Sequence, residues 1–114
     1  MIQRVFIVFI LSILFYSCTY RKEFVEPKCE TENLQFSSGI INEIVQTKCA
    51  ITGCHISGGS GTGDFTKYTQ LKSAVDNGSF GQQVFVTKKM PQSGSLTDCQ
   101  LSQLQAWVNN GAPN

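Results

Sequence analysis

Seven consecutive residues, CAITGCH at 49–55, contain two cysteines and the only histidine of this 114-residue chain. Thiolate sulfur and imidazole nitrogen are good ligands for soft and borderline metals, and a cysteine can also be attached covalently through its sulfur. A domain of this size has a modest core, and such domains often need a disulfide or a cofactor for stability. This cluster therefore constrains the fold more than any other feature of the sequence.

A cysteine pair followed directly by histidine is the attachment signal for c-type haem. The two thiols form thioethers with the vinyl groups of the haem, and the adjacent imidazole becomes a ligand of the iron. The common signal is C-x-x-C-H, whereas four residues separate Cys49 from Cys54 in this chain. The linker must therefore bow outward, and Gly53 is able to adopt the backbone angles that this requires.

Two other interpretations of the cluster stay open. In the first, Cys49 and Cys54 form a small disulfide loop or are buried thiols, and His55 is merely near them. In the second, the three residues bind zinc. Because structural zinc is four-coordinate, Cys29 or Cys99 would have to complete that site.

A second loop offers a ligand for the opposite side of the iron. In TKKMPQSGSL at 87–96, Met90 precedes Pro91, and apart from Met1 it is the only methionine of the chain. A thioether suits haem iron opposite an imidazole, and Pro91 would stiffen the loop. Methionine more commonly fills gaps in a core, but the polar neighbours of Met90 favour the ligand.

Three segments have the spacing of amphipathic helices: SSGIINEIVQTKC at 37–49, TKYTQLKSAVDNG at 66–78 and TDCQLSQLQAWVNNG at 97–111. The segment QQVFVTKK at 82–89 shows only a brief strand-like alternation. The sequence therefore predicts an all-α domain.

Polar residues mark where these helices start. Ser37 or Ser38 is a candidate N-cap of the first helix, and Thr66 is a candidate N-cap of the second. Thr97 and Gln100 have capping-box spacing at the start of the third helix. The second and third helices are predicted to end at Asn77-Gly78 and at Gly111.

The first 17 residues have the features of an export signal. Arg4 supplies the basic region, residues 5–16 are apolar, and Ser17 precedes Cys18. The ending LFYSC resembles a bacterial lipobox, in which Cys18 becomes the lipidated first residue and attaches the chain to a membrane. A plain membrane anchor and an ordinary cleaved signal are the alternatives, although the apolar run is shorter than the about 20 residues of a span.

Residues 18–35 are polar and are interpreted as a tether from the lipid. We therefore expect a lipoprotein of the cell envelope, periplasmic or associated with the outer membrane. The formal net charge is +1 and the nine basic residues are spread along the chain, so no basic face is available for nucleic acid.

From about residue 36 to residue 114, the chain resembles a small class I cytochrome c. The match consists of a first helix, the cysteine-pair–histidine motif, a middle helix, the Met-Pro loop and a closing helix reading LSQLQAWVNNGAPN. The resemblance implies an all-α, class I cytochrome c-like fold with three main helices around a covalently attached haem c. It implies thioether bonds at Cys49 and Cys54, and iron ligation by His55 and Met90.

The same resemblance implies that the C-terminal helix crosses the first helix, with Leu104 and Trp107 packing against Ile41 and Ile44. The chain also departs from the family. No proline follows His55 in its loop to present the carbonyl that usually orients the imidazole, so the hydrogen-bond partner of His55 is unassigned.

The resemblance implies an electron carrier rather than an enzyme. Histidine and methionine leave no open position on the iron, so single electrons would pass to and from a redox partner protein. Water would be excluded by apolar side chains, and the expected set is Ile44, Leu71, Phe85, Leu104 and Trp107. Lys48, Lys88 and Lys89 either surround the haem edge or are ordinary solvated lysines.

Two functions from other classes remain as alternatives. In one, Met90 is labile and the domain is a haem-based ligand sensor or a peroxidatic domain. In the other, the chain has no haem and is a binding lipoprotein stapled by disulfides.

With Cys18 assigned to lipid and Cys49 and Cys54 to haem, Cys29 and Cys99 remain. In an oxidising compartment we expect them to form a disulfide, which would stabilise the fold by up to roughly 4 kcal/mol in the chain-entropy model. The alternative is that both stay free thiols.

Overall fold

A computed structural model describes residues 28–37 and 39–114 of the chain. The helices are α1 (Ile40–Lys48), α2 (Tyr68–Asp76), α3 (Ser79–Gly81), which continues as a π-helical turn (Gln82–Val86), and α4 (Asp98–Asn109). The described residues contain no strand, so the all-α prediction is confirmed for them. The predicted export signal, Arg4 and the lipidation site Cys18 lie outside the described residues.

Helix α1 forms because its apolar residues repeat on one face. Ile41, Ile44 and Val45 are buried along that face. The helix begins later than predicted. Its N-cap is Gly39, with a φ of 121° and no side-chain cap, so Ser37 does not cap it, and Ser38 lies outside the described residues.

Helix α2 buries Leu71 completely and begins without the predicted cap. The N-cap position is Lys67, and no side chain caps the helix there. Thr66 is not the cap because it lies one residue before the N-cap position and its hydroxyl accepts no helix N–H; that hydroxyl donates to Asp64 Oδ1. The predicted end is confirmed, since Asn77 is the C-cap and Gly78 follows in the left-handed conformation with a φ of 81°.

The segment with the weak strand pattern forms a π-helical turn. The N–H of Thr87 donates to Gln82 O, 2.9 Å away. This geometry buries Val84 and leaves Phe85 only half-buried, whereas Phe80 is buried and meets Phe85 edge to face at 5.9 Å between ring centroids. Phe85 is therefore less buried than the other four side chains that were expected to exclude water.

Helix α4 has the predicted capping box. Thr97 Oγ1 accepts the N–H of Gln100 at 3.1 Å, and Gln100 Oε1 accepts the N–H of Thr97 at 3.0 Å. Leu104 and Trp107 are fully buried, in the same core cluster as Ile44 and Leu71. Helix α4 also contacts α1, as the resemblance implied.

The C-terminal tail closes the domain. Pro113 O accepts a hydrogen bond from Trp107 Nε1 at 2.8 Å and another from the N–H of Phe36 at 3.0 Å. The hydroxyl of Tyr68 donates to Ala112 O at 2.8 Å. The tail thus hydrogen-bonds to α4, which precedes it, and to two segments that are distant in sequence, at Phe36 and Tyr68.

The end of the segment interpreted as a tether packs with the domain. Leu34 is buried in the core. Cys29 forms a disulfide with Cys99, 70 residues away, with a Cα–Cα distance of 5.6 Å, which is the pairing expected from the sequence. None of the helices within residues 28–37 and 39–114 combines the length and hydrophobicity that a membrane span needs.

Candidate cofactor-attachment site

The cysteine-pair–histidine motif begins where α1 ends. Cys49 is the C-cap residue of α1, and its carbonyl accepts the N–H of His55 at 3.2 Å. The N–H of Cys54 donates to Ile51 O at 2.9 Å, which closes a turn inside the linker. Gly53 has a φ of 82°, so the widened linker uses the glycine conformation that the sequence indicated.

Cys49 and Cys54 are both free thiols in the structure, so no disulfide closes the motif here. Cys49 is buried, whereas Cys54 is half-buried. Burial, with a smaller effect from the neighbouring Cys54, raises the pKa of the Cys49 thiol to about 11. Cys49 is therefore protonated at neutral pH and is poorly reactive towards oxidants, since the thiolate is the reactive form.

The zinc interpretation lacks its fourth ligand. Cys29 and Cys99 were the candidates to complete the site, and both are joined in the disulfide. Within the described part of the chain, no three side chains of His, Cys, Asp or Glu come together as a metal site. Haem iron needs only one residue of these types beside a thioether, so this finding does not test haem binding.

The glycine-rich segment after the motif folds back onto it. The N–H of Gly61 donates to Cys54 O at 3.2 Å, and the N–H of Phe65 donates to His55 O at 2.9 Å. A Cβ at Gly59 would lie 1.9 Å from Cys54 O, so only glycine allows this approach of the two backbones.

The His55 imidazole has a defined partner on one of its two nitrogens. Nδ1 lies 3.0 Å from Thr62 O. Because a carbonyl only accepts, a neutral His55 in this hydrogen bond carries its proton on Nδ1 and keeps a lone pair on Nε2. This is the tautomer in which Nε2 can bind a metal. The Thr62 carbonyl is therefore the hydrogen-bond partner of His55 that the sequence left unassigned.

The ring of His55 is also stacked on Phe65. The ring centroids are 4.1 Å apart and the ring planes differ by 3°. Phe65 is itself buried, so it offers His55 a fixed apolar surface.

Met90 lies on a separate loop. Its N–H donates to Gln83 O in the π-helical turn at 3.2 Å, and its half-buried side chain packs against the core cluster. Residues 91–96 take part in none of the hydrogen bonds found in the described part of the chain. The methionine loop is therefore held at its two ends.

Three lysines are candidates for a partner surface. Lys88 and Lys89 are exposed and Lys48 is half-buried. Among residues 28–37 and 39–114, ion pairs join Lys67 to Asp64 and Lys72 to Asp76, and none involves these three lysines. Their charges are available to a partner, which is equally true of ordinary solvated lysines.

No protein-family model, no curated protein and no solved structure matches the chain.

Proposed function

We propose that this protein carries single electrons on a covalently attached haem c, within a class I cytochrome c-like fold. The observation that carries the proposal is the state of His55. Its imidazole directly follows two free thiols, and the Thr62 carbonyl on Nδ1 leaves Nε2 as the nitrogen with a lone pair. A hydrogen-bonded imidazole of this kind is the usual form of a histidine that binds a metal.

Cys49 and Cys54 would hold the haem. Each thiol would add to one haem vinyl group: the S–H bond and the π bond of the vinyl group would be lost, one C–S bond and one C–H bond would form, and no group would leave. The addition requires reduced thiols. The described chain keeps these two cysteines as thiols while Cys29 and Cys99 are paired, which is the distribution that attachment requires.

His55 and Met90 would be the two protein ligands of the haem iron. The haem supplies the reversible one-electron chemistry, and the chain holds, orients and shields it. With both of these residues bound, the iron would have no position left for a substrate, which is why we propose a carrier rather than an enzyme. Half-buried apolar side chains that already contact the core, such as Ile56, Phe85 and Leu96, would shield the haem from water.

The proposed location of the protein rests on its N-terminal residues, and the proposed kind of partner rests on three lysine charges. Lipid at Cys18 would attach the domain to an envelope membrane, where a redox partner protein donates or accepts the electron. Lys48, Lys88 and Lys89 would favour an acidic partner surface.

Mass and absorption of the exported full-length chain test the proposal. We expect the mass of one haem beyond the polypeptide and its lipid, retained after denaturation, with a low-spin spectrum and a sharp α-band on reduction. Cys49→Ala or Cys54→Ala would leave a single thioether, whereas Ser57→Ala, at an exposed position of the same loop, is the matched control. A purified chain without visible absorbance would contradict the proposal and favour the binding lipoprotein.

A second candidate function rests on the methionine loop. Because residues 91–96 have no hydrogen bonds within the described chain, Met90 is restrained less than His55. A labile Met90 would make the domain a haem-based ligand sensor. Carbon monoxide binding to the reduced protein separates the two functions: a carrier binds it only after Met90→Ala, whereas a sensor binds it in the unmodified chain.

A further inference from the structure

Three groups enclose the His55 imidazole, and we name them the histidine slot: Gly61, Thr62 and Phe65. Thr62 O accepts the hydrogen bond from Nδ1. Phe65 stacks on one face of the ring. A Cβ built at Gly61 would lie 2.7 Å from Nδ1 and 2.9 Å from both Cε1 and Cγ of His55.

Those three distances place Gly61 over a face of the imidazole. A position in the plane of the ring, beyond Nδ1, would be much farther from Cε1 and Cγ than from Nδ1. A Cβ at Gly61 on the same face as Phe65 would lie between the two stacked rings and would meet Phe65 atoms closely. The three nearest atoms all belong to His55 instead, so Gly61 covers the face opposite to Phe65. The ring is therefore held between a backbone and a phenyl group.

We propose that Gly61 and Phe65 are positioning residues for His55, which fix its ring plane and keep its Nδ1 on Thr62 O. The χ2 torsion of histidine is otherwise broad, so the Thr62 hydrogen bond alone leaves the ring freedom to tilt. The backbone of His55 is held in place by two hydrogen bonds: its N–H donates to Cys49 O, and its carbonyl accepts the N–H of Phe65. That Gly61 and Phe65 orient His55 as a ligand of the haem iron rests on the proposed function.

Gly61 allows a clean substitution. Its φ lies outside the left-handed range, so an L-residue is acceptable to the backbone, and the cost of Gly61→Ala comes from the contact with the ring. Contacts under 3.0 Å are not tolerated by real Cβ atoms. Gly61→Ala must therefore displace the imidazole or the backbone that carries residues 61 and 62, and we expect either shift to weaken the hydrogen bond between Nδ1 and Thr62 O.

The chain has a single histidine, so imidazole signals in NMR spectra belong to His55 without assignment. In long-range proton–nitrogen spectra of the reduced full-length protein, we expect the proton on Nδ1, with slow solvent exchange. Gly61→Ala should accelerate that exchange by about fivefold to tenfold, the loss of roughly one hydrogen bond. It should also raise the reduction potential, because a hydrogen-bonded imidazole is the more basic ligand and favours ferric iron.

The control for Gly61→Ala is Gly81→Ala. Its Cβ would meet only Phe85 Cδ2 at 3.8 Å, an ordinary contact, so exchange and potential should match the unmodified protein. If Gly61→Ala does not fold, Phe65→Leu removes the stacked ring instead, and Phe80→Leu controls for the loss of a buried phenylalanine. Wild-type exchange and potential in Gly61→Ala, or equal effects in Phe65→Leu and Phe80→Leu, would overturn the proposal.

The experiments distinguish failure of the proposed function from failure of the proposal for the histidine slot. If the purified chain carries no haem, the electron-carrier proposal fails. The tautomer and proton exchange of His55 are still measurable in that chain, and they still decide whether Gly61 and Phe65 position the ring.

Discussion

Asp64 is a carboxylate whose side chain is 10 % exposed and is held by Thr66 and Lys67. The hydrogen bond from the Thr66 hydroxyl, followed by smaller effects of the Thr66 N–H and of Lys67, lowers the pKa of Asp64 below its ordinary value of 3.8, although burial opposes this. A carboxyl with a lower pKa in the folded state stabilises the fold at pH values above its unfolded pKa. That stabilisation is lost as the pH falls through the folded pKa.

Asp64→Asn should therefore lower the melting temperature at neutral pH, and the difference from the unmodified protein should shrink in acid, at pH values below 3.8. Thermal unfolding followed by circular dichroism over a pH series measures it. Asp76→Asn is the control, because its pair with Lys72 is largely exposed and contributes little. A difference that stays constant with pH would show that the ionised carboxylate has no part in stability.

The raised pKa of Cys49 makes a second prediction at the residue scale. In chain purified without haem, alkylation of Cys49 should be slow at pH 7 and should accelerate until the pH nears 11, because only the thiolate reacts. Mass spectrometry of peptides after timed alkylation measures the rate. In urea the burial is removed, and the rate at neutral pH should rise; an unchanged rate would mean that Cys49 is accessible in the folded chain.

Among single residues, side-chain chemistry was readable from the sequence and main-chain chemistry was not. Residue type and spacing were sufficient to identify the motif of Cys49, Cys54 and His55. The partner of His55 is a backbone carbonyl, which every residue possesses, so nothing in the sequence distinguished Thr62. Gly61 could have been suspected only from the glycine-rich composition of its loop.

Helix α4 begins with the two reciprocal hydrogen bonds of Thr97 and Gln100. Thr97→Ala should reduce the free energy of unfolding by about 1 kcal/mol, because it removes the acceptor for a helix N–H. Urea denaturation measures the change. Ser102→Ala, at an exposed position of the same helix, should be neutral or slightly stabilising, since alanine is the better helix former. Equal effects of the two variants would argue against the cap.

At the scale of elements, the sequence predicted which segments are helical but placed two starts wrongly. Spacing of apolar residues determines the buried face, and this signal was strong for α1, α2 and α4. A side-chain cap forms only where the hydroxyl oxygen accepts a helix N–H, whereas the Thr66 hydroxyl donates its proton to Asp64 Oδ1 and lies one residue before the N-cap position Lys67. The π-helical turn could not be predicted from the sequence for another reason. It has only five residues, which are too few for the spacing of apolar residues to distinguish a strand from a π-helix.

At the scale of the molecule, the disulfide links the N-terminal segment to the first turn of α4, nine residues after Met90. It therefore restrains the C-terminal end of the methionine loop, whose other end is held at Gln83. The chain-entropy model gives about 4 kcal/mol for closing a loop of this length. The sequence could suggest this pairing only by counting cysteines, because the closeness of residues 29 and 99 depends on the whole fold.

Replacing both Cys29 and Cys99 with serine should lower the free energy of unfolding by about 2–4 kcal/mol, measured by urea denaturation. If the proposed haem ligation holds, the same variant should bind carbon monoxide more readily in its reduced form, because the loosened loop lets Met90 leave the iron. Leu34→Ala is the control: it destabilises the core by a similar amount, about 2–4 kcal/mol, and leaves the disulfide in place. Equal gains in carbon monoxide binding by the two variants would mean that any loss of stability frees Met90. A gain confined to the variant without the disulfide would show that the crosslink restrains Met90.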